Sequence, residues 1–442
     1  MINRIQIAFK NKCINLLYCM SKPFFSCHCT KKHTVKDIME NYKGMEYLKR
    51  KLALKYPRAN MRYKYYEMKY LVKDLGISTP PELRSWFNVL GWCGTAVDNI
   101  ADRISFGKFK NDVFDMNGIY RANNADILFD SGILGALITA CDFIYITKDE
   151  DGYPQMRVID GRHATGVINP VTYLLKEGYA ILETDEWNRP TMEAYLLPYR
   201  TEIYVNGKYD MTMAHNAPAP LLVPVIYKPD AVRPFGHSYI SRACMGIVSG
   251  AVRTVKRSEI SAEFYSFPQR YVLGMDPDAE KMEKWKVTMS TLLRIDKDED
   301  GDKPVVGQFA QQSMAPHMDQ LKTFACLFAG ETGLALDDLG FPNANPSSAD
   351  ALKASHDTLR RKARKAQKTL GIGFLNAGYL AACLRDDIPY KRKQVSETTL
   401  QWDPIFEPDV TALSGIGDAI QKMQTSFPEY IDEDKLRELT GI

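Results

Sequence analysis

At 442 residues, with 45% apolar and 25% charged side chains, the chain has the composition of an ordinary globular protein with room for a large core and two to four domains. A formal net charge of +3 excludes a protein that grips nucleic acid through bulk charge, so any such contact must come from local placement of Lys and Arg. No run of about eighteen apolar residues occurs, which excludes a membrane-spanning helix.

Residues 1–33 are basic, with Phe, Leu, Ile and Cys interspersed. Lys10, Lys12 and Lys22 interrupt any long apolar run, and no small-residue cleavage site follows. Residues 1–40 are expected to form a flexible basic extension, with Met1, Met20 or Met39 as the translation start. Cys27-His28-Cys29 lacks a second ligand pair at zinc spacing and reads as part of that tail. Cys93, Cys141, Cys244, Cys326 and Cys383 stand in apolar contexts and read as small buried hydrophobes in a reducing compartment.

From Val35 to Asp74 the pattern is helical, rich in Lys, Arg and Tyr, with Tyr65 and Tyr66 expected to pack in the core. A helix over Ala96–Ile104 leads to a short strand at Phe106–Phe109, and Asp126–Thr139 reads as an apolar helix. Between Tyr145 and Tyr227 the periodicity changes. Ala180–Thr184 and Thr191–Leu196 alternate as antiparallel strands, with turns at Asp151-Gly152, Asn188-Arg189-Pro190 and Asn206-Gly207.

A long helix is expected from Ser238, as N-cap, to Phe267, ended by Pro268. Ile240, Cys244, Ile247, Ala251 and Val255 form its apolar stripe, and Gly246 and Gly250 leave room for a close neighbour. Arg253, Lys256 and Arg257 form a basic strip along it. A compact insert of strand, helix and strand character follows, to Ser313.

Next comes an apolar helical run to Gly330, then a loop rich in Gly, Asp, Asn and Pro over Glu331–Pro346. A second long helix opens at Ser347 and Ser348, with Asp350 in its first turn. Leu352, Leu359, Ala363, Ala366 and Leu370 line one face. Lys353, Arg360, Arg361, Arg364, Lys365 and Lys368 cover much of the rest, and Gly371 and Gly373 are placed to stop or bend it.

The segment GETGL…LG…NPSSADAL (Glu331–Leu352), followed by a basic helix, resembles the portal proteins of long-tailed bacteriophages. Further pieces of the same pattern stand in the same order. They are Tyr65-Tyr66 before Leu75-Gly76 and Pro80, Val97-Asp98…Arg103, and Val223-Pro224-Val225 before Gly236-His237-Ser238. Met68 stands where that family often has Gly.

The resemblance implies an α+β portal fold. A mixed wing domain would cover 41–237, a first stem helix 238–268, a clip 269–313, a second stem helix 314–332 and a tunnel loop 333–346. The long basic helix and wing/crown connection would cover 347–385, and a C-terminal crown region 386–442. It also implies a ring of about twelve copies with closed cyclic symmetry at one capsid vertex. Double-stranded DNA would pass through it without sequence-specific reading. Large terminase, major capsid and scaffolding proteins, and later a head-completion adaptor, would be its partners, with no cofactor and no membrane. Assembly would take place in the host cytoplasm and the product would be part of the virion.

Asp337, Asp338, Gly340, Phe341, Asn343 and Asn345 would then line the channel. Leu334, Leu336, Leu339 and Phe341 are expected to pack on the neighbouring subunit's helix, and Asp337 and Asp338 to face cations of an adjacent copy.

Several chemical-looking motifs fall short. Asp296, Asp298, Asp300 and Gly301 open like a calcium loop, but Gly307 stands where the bidentate Glu is needed. Gly236-His237-Ser238 lacks the second small residue of a nucleophile elbow. No P-loop or zinc-hydrolase motif is present, and no set of nucleophile, base and oxyanion donors comes together, so the chain is not read as an enzyme. The alternative from another class is a DNA-binding or DNA-modifying phage enzyme that uses the basic helix 347–371 as its contact surface.

Overall fold

In the computed structural model the described residues are 42–73, 79, 83, 85–266, 270–273, 305–308, 313–342, 354–405, 418–422 and 425. The chain divides after Lys43, and the helices and strands among the described residues all belong to the body from Gly44 onward. The basic extension 1–40, the Cys-His-Cys cluster, the calcium-like turn and most of the insert lie outside the described residues.

The first half begins with helix α1 (Met45–Tyr66), α2 (Trp92–Ala101), strand β1 (Phe106–Lys110), α3 (Met116–Ala122) and α4 (Ala125–Thr139). Strands β2 (Cys141–Lys148), β3 (Pro154–Ile159), β4 (Ala164–Ile168), β5 (Leu175–Thr184), β6 (Pro190–Leu197), β7 (Arg200–Val205), β8 (Lys208–Ala214) and β9 (Leu222–Ile226) follow. The second half holds α5 (Arg242–Ser266), β10 (Arg270–Leu273), β11 (Val305–Gln308), α6 (Ala315–Thr332), α7 (Asp357–Arg385) and β12 (Thr399–Trp402).

The strands pair antiparallel throughout. One sheet runs β3-β2-β9 and another β4-β5-β6-β7-β8, with two-stranded ladders β1-β12 and β10-β11. Helix and sheet are thus mixed as in the α+β class. The Asn206-Gly207 turn joins β7 to β8 with both residues at positive φ, as a tight hairpin requires.

The core forms where α4 and α7 meet the smaller sheet. Helix α4 is apolar almost all round, and a helix of that kind is stable only when enclosed. Phe129 on α4 stacks on Phe374 of α7 and on Phe106 of β1, at 4.0 and 3.9 Å between ring centres. The buried Tyr120 hydroxyl donates to the Phe374 carbonyl at 2.5 Å. Tyr65 and Tyr66 are half-buried. Tyr65 stacks on Tyr70 and bonds Ser249, and Tyr66 donates to Asp98, so their polar ends are satisfied at the core margin.

Two buried carboxylates fasten α1 to the larger sheet. Glu177 accepts from the Gly44 amide and the Tyr195 hydroxyl. Glu193 accepts from Lys49 at 3.0 Å and from the Tyr179 hydroxyl. Burial of charge is tolerated here because each acid is paired or multiply hydrogen-bonded.

Four sequence expectations change. The first long helix starts at Arg242, not Ser238. The Ser238 hydroxyl donates to the Ile138 carbonyl at 2.6 Å and the Tyr239 amide to Leu137, so this segment ties down the end of α4. Ser241 caps α5 instead, accepting from the Cys244 amide at 3.1 Å. Second, Gly371 and Gly373 neither stop nor end α7, which continues to Arg385. A methyl group at Gly373 would lie 2.8 Å from the Pro224 carbonyl oxygen and 2.9 Å from Val225 Cα. That glycine lets the helix press against β9. Gly373→Ala should therefore cost about 1–3 kcal/mol and lower the thermal midpoint of the purified protein, because backbone cannot move aside.

Third, Cys326 is exposed, while Cys93, Cys141, Cys244 and Cys383 are buried. Fourth, of Gly246 and Gly250, the latter alone admits a close neighbour within the chain, Phe324 of α6. A methyl at Gly246 would meet nothing within 4 Å. Residues 386–405 join the main body through β12 paired with β1.

Candidate functional site

The turn after α6 carries Asp337, Asp338, Gly340 and Phe341 of the residues expected to line the channel. Gly333 ends α6 in the left-handed conformation, φ 81°, with its amide on the Ala329 carbonyl at 2.7 Å. Leu334 and Ala335 then turn inward and are buried. Asp337–Leu339 make one 3-10 turn, closed by Gly340 at φ 85°. Phe341 returns its amide to the Leu336 carbonyl at 3.1 Å.

This hook packs on its own subunit. Leu334 and Leu339 are buried in the core cluster, and Leu336 and Phe341 are half-buried against it. The expectation that Leu334 and Leu339 reach a neighbouring subunit is corrected, because the chain's own helices cover them; Leu336 and Phe341 keep part of their surface exposed. Asp338 is also taken locally. It accepts from the Ala335 amide at 2.9 Å and lies 3.8 Å from His356 Nδ1. Asp337 alone of the two acids is exposed. Asn343 and Asn345 lie outside the described residues, as does Lys353.

On α7 the expected apolar stripe holds for Leu359, Ala363, Ala366 and Leu370, all buried. The cations divide by direction. Arg360 and Arg361 both bond Asp357, at 2.6 and 3.1 Å, and hold its carboxyl below the usual range. Within the chain these two cations thus share an acid one turn away on the same helix. Arg364, Lys365 and Lys368 are exposed. Arg253, Lys256 and Arg257 on α5 are half-buried, and α5 packs along α6.

Sequence reasoning missed Lys362 and Lys228. Lys362 turns toward α6 and donates to the Glu331 carbonyl at 2.7 Å, while its Nζ lies 5.9 Å from the Tyr239 ring centre. Its position next to buried Ala363, on the apolar side of the helix, was the available signal. Burial, with Lys228 nearby, pushes its pKa down. Among the described residues, no group of three or more His, Cys, Asp or Glu side chains is arranged to hold a metal, and no helix is long and apolar enough to cross a membrane.

No family model matches the chain. It aligns with the portal protein of Mycobacterium phage L5 at 23% identity over 394 residues, 84% of this chain and 80% of that protein. The portal protein of Mycobacterium phage D29 aligns at 22% over 398 residues, 85% and 81% of the two chains. A solved structure titled as the neck of a native gene transfer agent particle, computed with C12 symmetry, covers 83% of this chain and 95% of its own, at 14% identity and TM-score 0.45. The order of motifs and the two phage alignments agree: over more than four-fifths of its length this chain is similar to the portal proteins of two mycobacterial phages.

Proposed function

We propose that the chain is a portal subunit: it forms a ring at one vertex of a phage head and surrounds the channel through which duplex DNA enters and leaves. The observation that carries this is the alignment with two portal proteins over some four-fifths of all three chains. In this reading the body before residue 238 is the wing. The packed pair α5 and α6 is the stem, and β10 and β11 are the roots of the clip that docks terminase and later an adaptor. The hook at 333–341 belongs to the tunnel loop, and the region after residue 385 leads into the crown. The role is structural, with terminase supplying the chemistry of translocation.

The stem pair also leaves surface suited to a neighbour. Met318 and Leu327 on α6 are both 55% exposed, and Gly246 and Gly330 face open space. Apolar surface of this kind favours association. For DNA to slide, lumenal contacts must be sparse, since each phosphate neutralised by Lys or Arg adds salt-dependent grip. The Asp357 carboxylate, which offsets one of the two charges of Arg360 and Arg361, fits that requirement, and Asp337, Arg364, Lys365 and Lys368 are the exposed charges that would meet DNA.

The test is mass. Size-exclusion chromatography with light scattering should give an assembly of about twelve 50.2 kDa subunits, a closed heterologous ring. A monomer or dimer across a range of salt at micromolar concentration would overturn the reading and favour a DNA-binding enzyme.

A further inference from the structure

Where α5 begins, α6 ends and α7 passes, the surface folds into a cleft of about 240 Å³. Tyr227, Lys228, Ser241, Glu331, Lys362 and Lys365 are among its walls. Three lysines therefore share its walls with one glutamate. That carboxylate is already engaged, since Glu331 Oε1 accepts from the Ser241 hydroxyl at 2.8 Å. Lys362 is half-buried; burial and then the charge of Lys228 disfavour its own, while Glu331 acts in the opposite sense. The cleft is thus a place where positive charge is held close together with incomplete compensation.

Two further features point the same way. Tyr227 is only 6% exposed and lines the cleft, and its hydroxyl is not among the sealed side-chain polar atoms left without a partner. Burial pushes its pKa up to about 12, so it stays a proton donor. The neighbouring Tyr239 is not equivalent, because its hydroxyl is spent on the Thr332 carbonyl at 2.7 Å. Ser241 also caps α5, so the positive end of a 25-residue helix dipole adjoins the cleft.

We propose that this cleft is a binding site for a phosphate group, held by Lys228, Lys362 and Lys365 with the Tyr227 hydroxyl as a neutral donor. A tetrahedral oxyanion accepts several donors at once, which a chloride ion or a planar carboxylate matches less well. The group has two possible sources: free inorganic phosphate and the phosphodiester backbone of DNA. The second source rests on the portal reading, and the first does not.

The experiment is a phosphorus NMR titration of the full-length protein with inorganic phosphate, at ionic strength held constant with chloride. Wild type should show saturable binding. Lys228→Ala, a change at an exposed side chain, should weaken it about tenfold, the scale of one charged hydrogen bond, and Tyr227→Phe about fivefold. Lys362→Met should weaken it further, with circular dichroism confirming the fold. Absence of saturation in wild type, or wild-type affinity in Lys228→Ala and Tyr227→Phe alike, overturns the site. A second arm titrates a short DNA duplex. Parallel losses in the variants identify the DNA backbone as the source, and unchanged duplex affinity beside lost phosphate binding identifies the free anion. Light scattering on the same samples reads ring formation separately, so failure of the portal reading is distinguishable from failure of the site.

Discussion

Leu339→Ala should destabilise the subunit by about 2–5 kcal/mol, while Asp337→Lys, two residues away, should leave stability within about 0.5 kcal/mol. Leu339 is 7% exposed and sits in the same core cluster as Trp92 and Phe328, so truncation leaves a cavity that rigid helices cannot close. Asp337 is exposed, with its side chain outside that core. Urea denaturation of both variants measures the difference. A Leu339→Ala protein with an unchanged midpoint but a lost ring would return this leucine to a subunit interface. Excision of Asp337–Asn343 would remove the same leucine and should compromise the fold itself. The clean functional probe is therefore Asp337→Lys. If this residue faces the channel, translocation should slow more at low salt than at high salt, because the added phosphate contact is screened as salt rises.

The second large effect lies at the junction of α4 and β2. Asp142 is 1% exposed and accepts from the Thr139 hydroxyl and the Gly161 amide, both at 2.8 Å. A methyl group at Gly135 would stand 1.7 Å from Asp142 Oδ2. Gly135→Ala should thus cost about 3 kcal/mol or yield insoluble protein, since neither α4 nor the acid has space to retreat.

Burial, and next the charge of Asp160, push the Asp142 pKa up to about 7, with the two hydrogen bonds and Lys55 acting in the opposite sense. The sign follows from linkage. In the unfolded chain this acid loses its proton near pH 4, whereas the folded chain holds it to about 7. Its contribution to stability is therefore full below pH 4 and is lost as pH rises toward 7, by up to about 4 kcal/mol. Asp142→Asn preserves an acceptor and removes the titration. Compared by denaturation at pH 5 and pH 8, the variant should lose less stability than wild type over that interval. Equal slopes in the two proteins would show that Asp142 stays ionised in the fold.

Local chemistry written within a few residues was legible in advance. The Asn206-Gly207 hairpin, the apolar α4 and the stripe Leu359, Ala363, Ala366, Leu370 each follow from rules that act over one turn or one strand pair. The ordered motifs from Tyr65 to Leu352 likewise carried the family resemblance without any coordinates. Tertiary structure decided what lies opposite each residue. Ser238 has the chemistry of a helix cap, but the carbonyl of Ile138, one hundred residues away, takes its hydroxyl. Gly373 looks like a helix stop, yet the strand that ends at Ile226 makes it a point of close contact inside a 29-residue helix. Leu339 looks like an interface residue in a polar loop, yet it is buried in its own subunit. The cleft of Lys228 and Lys362 joins residues more than one hundred positions apart. Periodicity and caps are properties of neighbours in the chain, whereas burial, charge pairing and close approach depend on neighbours in space. Only folding determines those.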